Sequence, residues 1–304
     1  MTTTTTKRNR PSPLRVVAAA AGIYAAVMLL FVAMLWSMRG GDGGASAFGP
    51  QVAIVELEGV IIDVYDLVRD LKRARDNPLV RAVVIRINSP GGVVGPTQEV
   101  HQGIQRLRQA GKPVVASLGS IAASGGYYVA VAADEIVSNP GTLTGSIGVI
   151  MQMANVEGLM KKVGVEYIVV KAGQYKDLGN FARPMLPEER RVLQALLDDV
   201  HGQFISAVAK GRKLDEATVR KFADGRIFSG AQAKDLKMVD ALGSLEDAVN
   251  RAATLGKLPL PANVAAPRRK FSFYDFMRNE IGIPAPSAFA GRLPIFRTPL
   301  YLMD

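Results

Sequence analysis

"RAVVIRINSPGG", Arg81 to Gly92, is an apolar, β-branched run that ends abruptly in proline and two glycines. It reads as a strand that runs into a glycine turn. Upstream, "QVAIVELEGVI" from Gln51 alternates and is β-branched, a second predicted strand. Between them, "YDLVRDLKRARDN" places Leu67, Val68, Leu71 and Ala74 on one helical face, and the helix is expected to close before Pro78. Downstream, "PTQEVHQGIQRLRQAGK" predicts a helix stopped at Gly111, and "PVVASLGS" a further strand. Strand, helix, strand, helix at these spacings means parallel βαβ units, an α/β fold.

Beyond this block, "ADEIVSNPGTLTGSIGVI" mixes short apolar pieces with turn residues, and "VEYIVVKAG" (Val165–Gly173) predicts another strand. From Pro187 a long helix begins, with proline and two glutamates in its first turn where the helix dipole favours them. "SGAQAKDLKMVDALGSLEDAVNRAATLG" predicts two short helices around a turn. The globular domain is expected over 51–257. Residues 258–304, with frequent prolines and scattered aromatics, form an irregular tail. Its end, "RLPIFRTPLYLMD", has two readings: packing on the outer surface, or lying in a neighbouring groove as an added β-strand.

At the other end, Val16 to Trp36 is 21 residues without a charge, about the ~20 a helix needs to cross a bilayer. Lys7, Arg8, Arg10 and Arg15 precede it, and only Arg39, soon offset by Asp42, follows. The positive-inside rule then predicts a cytoplasmic tail over 1–13, an anchor over 14–38, a Gly-rich linker over 39–50 and the domain on the outer side. The rival is a cleaved signal peptide, since "ASA" at 45–47 resembles a cleavage site, although an apolar run of 21 exceeds the usual length in such peptides.

Hydrophobic residues make up 48% and charged residues 21% of the 304-residue chain, which supports a sizeable core. The absence of cysteine excludes disulfides, a thiol nucleophile and thiolate metal sites. The net charge of +10 suggests nucleic acid at first, but five of the basic residues lie in 1–39 and the rest are spread thinly, so no nucleic-acid partner is expected.

Chemistry gathers at the strand ends, where parallel sheets bind ligands. "GSIAASGGYYVA" (Gly119–Ala130) sets Ser124 among alanines and glycines at a corner that reads as built to expose its hydroxyl. An acyl-transfer site needs a nucleophile and two N–H donors facing the oxyanion. Gly91 of "NSPGG" and Gly125, just after the serine, could supply them. His101 and His201 both fall on predicted helices, away from these corners, and neither suits the base. No Ser-x-x-Lys motif occurs, which leaves a lysine acting alone as the open possibility.

"NSPGG", "AASGGYY", "TLTGSIGV" and "GQYKD" occur in that order, and the chain so resembles the bacterial signal peptide peptidases of the SppA type, in the Clp/crotonase superfamily. The likeness covers about Val52 to Asn250 and looks like the short form, with one anchor and one catalytic domain. It implies stacked ββα spirals, a serine protease with a Ser-Lys dyad, and a ring- or dome-shaped homo-oligomer in which serine and lysine can come from neighbouring subunits. Carried over, Ser124 is the nucleophile, Lys176 of "GQYKD" the general base, and the N–H groups of Gly91 and Gly125 the oxyanion hole. Only this match singles out Lys176 among the lysines. Ser146 of "TLTGSIGV" reads as a turn lining the site, and its hydroxyl could bond the lysine amine. Where similar chains often carry Thr or Ser before the "PEE" helix, this one has Leu186.

The expected substrates are extended apolar peptides, signal-peptide remnants among them, at the bacterial inner membrane, and no cofactor or metal is expected. Two rivals stand beside this reading. One is a crotonase-type acyl-thioester enzyme, against which Ser124, Lys176 and the export signal argue. The other is a non-catalytic membrane scaffold.

Overall fold

A computed structural model of the chain describes residues 22–31, 49–265 and 300–301. The chain divides into two units, Met1–Ala45 and Ser46–Asp304. In the first, residues 22–31 are helical, and Ile23, Tyr24, Leu29 and Leu30 are exposed. Both ends of the expected anchor, the polar lead before it, most of the linker and residues 266–299 of the tail lie outside the described residues. Among the described residues no helix is long and apolar enough to cross a membrane.

The second unit opens with β1 (Gln51–Glu58), α1 (Tyr65–Asp76) and β2 (Val80–Ser89), then the short β3 (Gly92–Val93) and α2 (Val94–Gln109). Next come β4 (Val114–Ala123), α3 (Gly125–Ala130), β5 (Glu135–Ser138), β6 (Leu143–Gly145) and α4 (Glu157–Val163). The long α5 (Pro187–Arg212) leads to α6 (Glu216–Arg220), β7 (Ile227–Ser229), α7 (Gly230–Asp235), β8 (Ala241–Leu242) and α8 (Leu245–Leu255). Last are β9 (Val264–Ala265) and β10 (Leu300–Tyr301).

The main sheet runs β7-β6-β4-β2-β1-β9, with β5 and β8 branching from β4. Every pairing in it is parallel except β6 with β7. This is the α/β architecture that the strand–helix alternation predicts. It also explains why β2 carries four consecutive apolar residues, Ala82–Ile85, where alternation would serve a strand buried on one face. Val83, Ile85 and Ile87 are buried in a cluster with Leu71, Ile104 and Leu107, while Ala82 and Val84 join Ala248 and Ala252 of α8 in another. Both faces are covered, and each fully buried Val or Ile contributes roughly 1.5–3 kcal/mol.

β4 is the hub. Its other edge lies against β2, while along one edge Val115–Leu118 pairs with β5 and Ile121–Ala123 with β6. The fork carries the carboxyl end of β4 away from β5 and alongside β6, which is what assembles the site.

Two expectations need correction. Val165–Gly173 forms no strand: its backbone is irregular, Ile168 is 75% exposed and Val170 96%. A strand needs an edge to pair with, and this segment pairs with none among the described residues. The tail, for its part, is not irregular throughout. Val264–Ala265 extends the sheet beside β1, and Leu300–Tyr301 runs antiparallel to Gly92–Val93.

Candidate active site

Three strand ends converge. In the β2–β4 register Ser89 lies opposite Ala122, and in the β4–β6 register Ala123 lies opposite Gly145. The next residues, Ser124 and Ser146, therefore leave neighbouring strands side by side, about 5 Å apart in backbone by ordinary strand spacing. Both have φ of 51°, a left-handed conformation rare for residues with a Cβ. Such a backbone costs of order 1–3 kcal/mol and persists only where its surroundings enforce it. At Ser124 they do: its N–H donates to the Gly145 carbonyl at 2.8 Å, and its own carbonyl accepts from the Tyr128 N–H at 2.9 Å. Gly145 itself has φ of 83°, which suits glycine, and the Ser146 N–H donates to the Arg226 carbonyl at 2.8 Å.

The second glycine corner presses against the first. A Cβ on Gly125 would lie 2.9 Å from Thr97 Oγ1 and 3.2 Å from both Gly91 Cα and Gly92 N. Only glycine lets the two corners meet. Gly91, with φ of 108°, turns its N–H toward the Ser89 hydroxyl, which accepts it at 3.1 Å. Ser89 was not among the expected site residues. Its place directly before "PGG" is the one signal that pointed to it.

Ser124 is not exposed as its sequence surroundings suggest. The residue is 0% exposed, and its Oγ has no hydrogen-bond partner among the described residues. Small neighbours admit close approach, and here other backbone takes the space: the Gly91–Gly92 loop packs against Gly125, and the Gly145 carbonyl bonds the Ser124 N–H. A buried hydroxyl without a partner costs about 1–3 kcal/mol.

The structure thus gathers Ser124, Gly125, Gly91 and Ser146, but not Lys176. That lysine is exposed, in a run of turns after the irregular Val165–Val170 segment, and no bond joins it to Ser124 Oγ within the chain. Neither histidine replaces it. His101 packs at 5.0 Å against the Tyr128 ring, and burial lowers its pKa to about 4. His201 Nε2, on α5, is buried without a partner among the described residues. Leu186 has no oxygen with which to cap α5, and the Glu189 carboxylate instead accepts the Leu186 N–H at 2.9 Å.

The sequence pattern of peptidase family S49 matches residues 106–259, and the chain belongs to that family of peptidases. It is 52% identical over 177 residues, 58% of this chain and 64% of the other, to the Synechocystis protein named "Putative protease slr0021". It is 34% identical to Protease 4 of Haemophilus influenzae over 67% of this chain and 35% of that one. It is 36% identical to the Enterococcus faecium protein named "Putative signal peptide peptidase SppA" over 59% of this chain and 52% of that one. The chain therefore spans from about a third to about two thirds of these relatives.

Proposed function

We propose that this chain is a membrane-anchored serine endopeptidase of Clp/crotonase-like ββα architecture. In this reading Ser124 is the nucleophile and Lys176 the general base, and the substrates are extended apolar peptides such as signal-peptide remnants. The observation that carries the reading is the Ser124 corner. A strained serine, with a buried and unpartnered hydroxyl, sits at a strand end against a glycine loop. Strain and an unsatisfied polar group are tolerated where chemistry requires them.

The neutral Lys176 amine takes the Ser124 proton as Oγ attacks the peptide carbonyl. The N–H groups of Gly125 and Gly91 donate to the developing oxyanion. A charged oxygen is a stronger acceptor than the neutral Ser89 hydroxyl and competes for the Gly91 N–H. On collapse the lysine ammonium returns the proton to the leaving amine, and water, activated by the same amine, hydrolyses the acyl-serine. Ser146, beside the nucleophile, is placed to accept a hydrogen bond from the ammonium. A lysine acts as base only after losing its proton, which burial favours. The substrate strand is oriented by β3, whose Gly92–Val93 already pairs with an extended segment at Leu300–Tyr301.

Because Lys176 is exposed in its own chain, the dyad is completed between copies. Leu159, Val163, Val165, Tyr167, Ile168 and Val170 are all exposed around the irregular segment that precedes the lysine, an apolar arm that suits a second copy. Anchoring through residues 16–36 rests on that uncharged run, and the apolar helical residues 22–31 fall within it. With the basic residues before that run kept on the cytoplasmic side, the catalytic unit in this reading faces the outer side of the inner membrane.

A fluorophosphonate probe should label Ser124, and Lys176→Ala should abolish both labelling and peptide cleavage. Mixing the two inactive variants Ser124→Ala and Lys176→Ala should restore part of the activity, since some interfaces then hold one intact pair. Full activity in Lys176→Ala would remove the dyad, and no recovery on mixing would return both groups to one chain.

A further inference from the structure

Lys176 sits where regular structure gives no guidance. Its N–H donates to the Gly173 carbonyl at 3.2 Å, Leu178 N–H to Tyr175 at 3.2 Å and Asn180 N–H to Asp177 at 3.0 Å, a series of turns without strand or helix. Turns of this kind set local shape but not direction. The adjacent Asp177, however, is tied down on both oxygens. One accepts the Lys171 ammonium, and the other accepts Arg183 Nη2 at 2.9 Å and Nε at 3.2 Å. The same guanidinium reaches on to Glu189 of α5, Nη1 to Oε2 at 2.8 Å and Nη2 to Oε1 at 2.5 Å. Glu189 is only 2% exposed.

Taking the activity proposed above, we infer that Asp177, Arg183 and Glu189 are positioning residues, which lock the Lys176 turn to the first turn of α5. Arg183 bridges two carboxylates with a planar fork, an arrangement that fixes orientation as well as distance. α5 in turn is fixed to the nucleophile's helix, because Phe204 lies 5.1 Å from the Tyr128 ring of α3. From Glu189 to Phe204 is fifteen residues, about 22 Å of helix. One rod thus ties the lysine turn to the core of its own chain, from which the amine is presented to a neighbouring copy's serine.

The network also manages charge. An unpaired carboxylate beside a lysine holds the proton on the amine, the wrong state for a base. Here Lys171 and Arg183 offset Asp177 and Glu189, two positive groups for two negative. Lys171 and then Arg183 hold the Asp177 carboxyl well below its usual range, and Arg183 with the Leu186 N–H holds Glu189 near 2.

Asp177→Asn tests this without stranding Glu189, which keeps its partner Arg183. Measured in the full-length protein, kcat should fall by ~10- to 100-fold, as small misplacements of a catalytic group do. KM should stay within about twofold for the same reason, because the peptide groove is untouched. The acid limb of the kcat profile should move to lower pH, since one negative charge is lost near the amine. Arg183→Met, which unmasks Asp177, should move that limb the opposite way. Unchanged kcat and limb in Asp177→Asn, with Lys176→Ala inactive, would overturn the positioning role alone. An active Lys176→Ala would overturn the base assignment and this inference with it.

Discussion

Gly125→Ala isolates the contact between the two glycine corners. The added methyl would meet Thr97 Oγ1 at 2.9 Å and Gly91 Cα and Gly92 N at 3.2 Å each, where ordinary contact begins near 3.4 Å. The Thr97 hydroxyl is held by its bond to the Val93 carbonyl at 2.8 Å, and the other two atoms are backbone, so none of the three yields cheaply. Overpacking of this kind costs about 1–3 kcal/mol. Replacing glycine inside a helix recovers up to about 1 kcal/mol, so the net loss of stability should be near 0–2 kcal/mol. The rate should suffer far more. Relief of the clash moves the Gly91–Gly92 loop by a few tenths of an ångström, away from the donor geometry an oxyanion needs. Loss of one such donor lowers kcat by roughly 10²–10³-fold, and a partial displacement should cost at least tenfold. The assay is kcat on a fluorogenic apolar peptide together with thermal unfolding. Gly103→Ala serves as comparison, because its methyl meets only the tip of Leu71, Cδ1 at 2.8 Å. A Gly125→Ala enzyme that is folded and retains wild-type kcat would refute the oxyanion role of this corner.

Ser124→Ala should end probe labelling yet leave the unfolding free energy unchanged or higher by about 1 kcal/mol, since it removes a buried hydroxyl without a partner among the described residues. Val170→Asp, at a side chain 96% exposed, should leave the fold within about 0.5 kcal/mol while lowering both oligomer size and peptidase rate in parallel, read by light scattering and cleavage. His101 is half-buried against Tyr128, with Lys210 and Arg108 nearby, and its pKa of about 4 lies below the 6.5 of an unfolded histidine. The unfolded chain therefore binds the extra proton first, so stability should decline as pH falls from above 6.5 through 4, by about 2–3 kcal/mol. His101→Gln should flatten that decline in urea unfolding followed against pH. Removing residues 293–304 should raise peptide cleavage if Leu300–Tyr301 competes with substrate for Gly92–Val93; an unchanged rate would dismiss that competition.

Much of the fold was legible because burial on two faces writes itself into β2 and β4 as consecutive apolar residues, Ala82–Ile85 and Val114–Ala116. The corners were legible for a related reason: "SPGG" and "ASGG" spend glycines where backbones must touch, and Gly125 is such a place. What failed did so where an outcome depends on distant neighbours. Val165–Val170 carries strand-like residues, but periodicity names no partner edge. Small residues around Ser124 signalled close approach and not what approaches, so a buried hydroxyl was read as an exposed one. Gly91 was read as a donor without the Ser89 oxygen that occupies it. The Asp177–Arg183–Glu189 chain left no pattern, since its first two members lie in irregular backbone, where spacing fixes no common face.

The sealed corner at Ser124 bears on the interval between synthesis and assembly. If the dyad forms between copies as proposed, a freshly made copy, its Ser124 hydroxyl buried and its Lys176 out in solvent, holds no complete pair with which to damage other polypeptides in transit. On that proposal dilution would keep it quiet, and turnover per copy should climb steeply with local density.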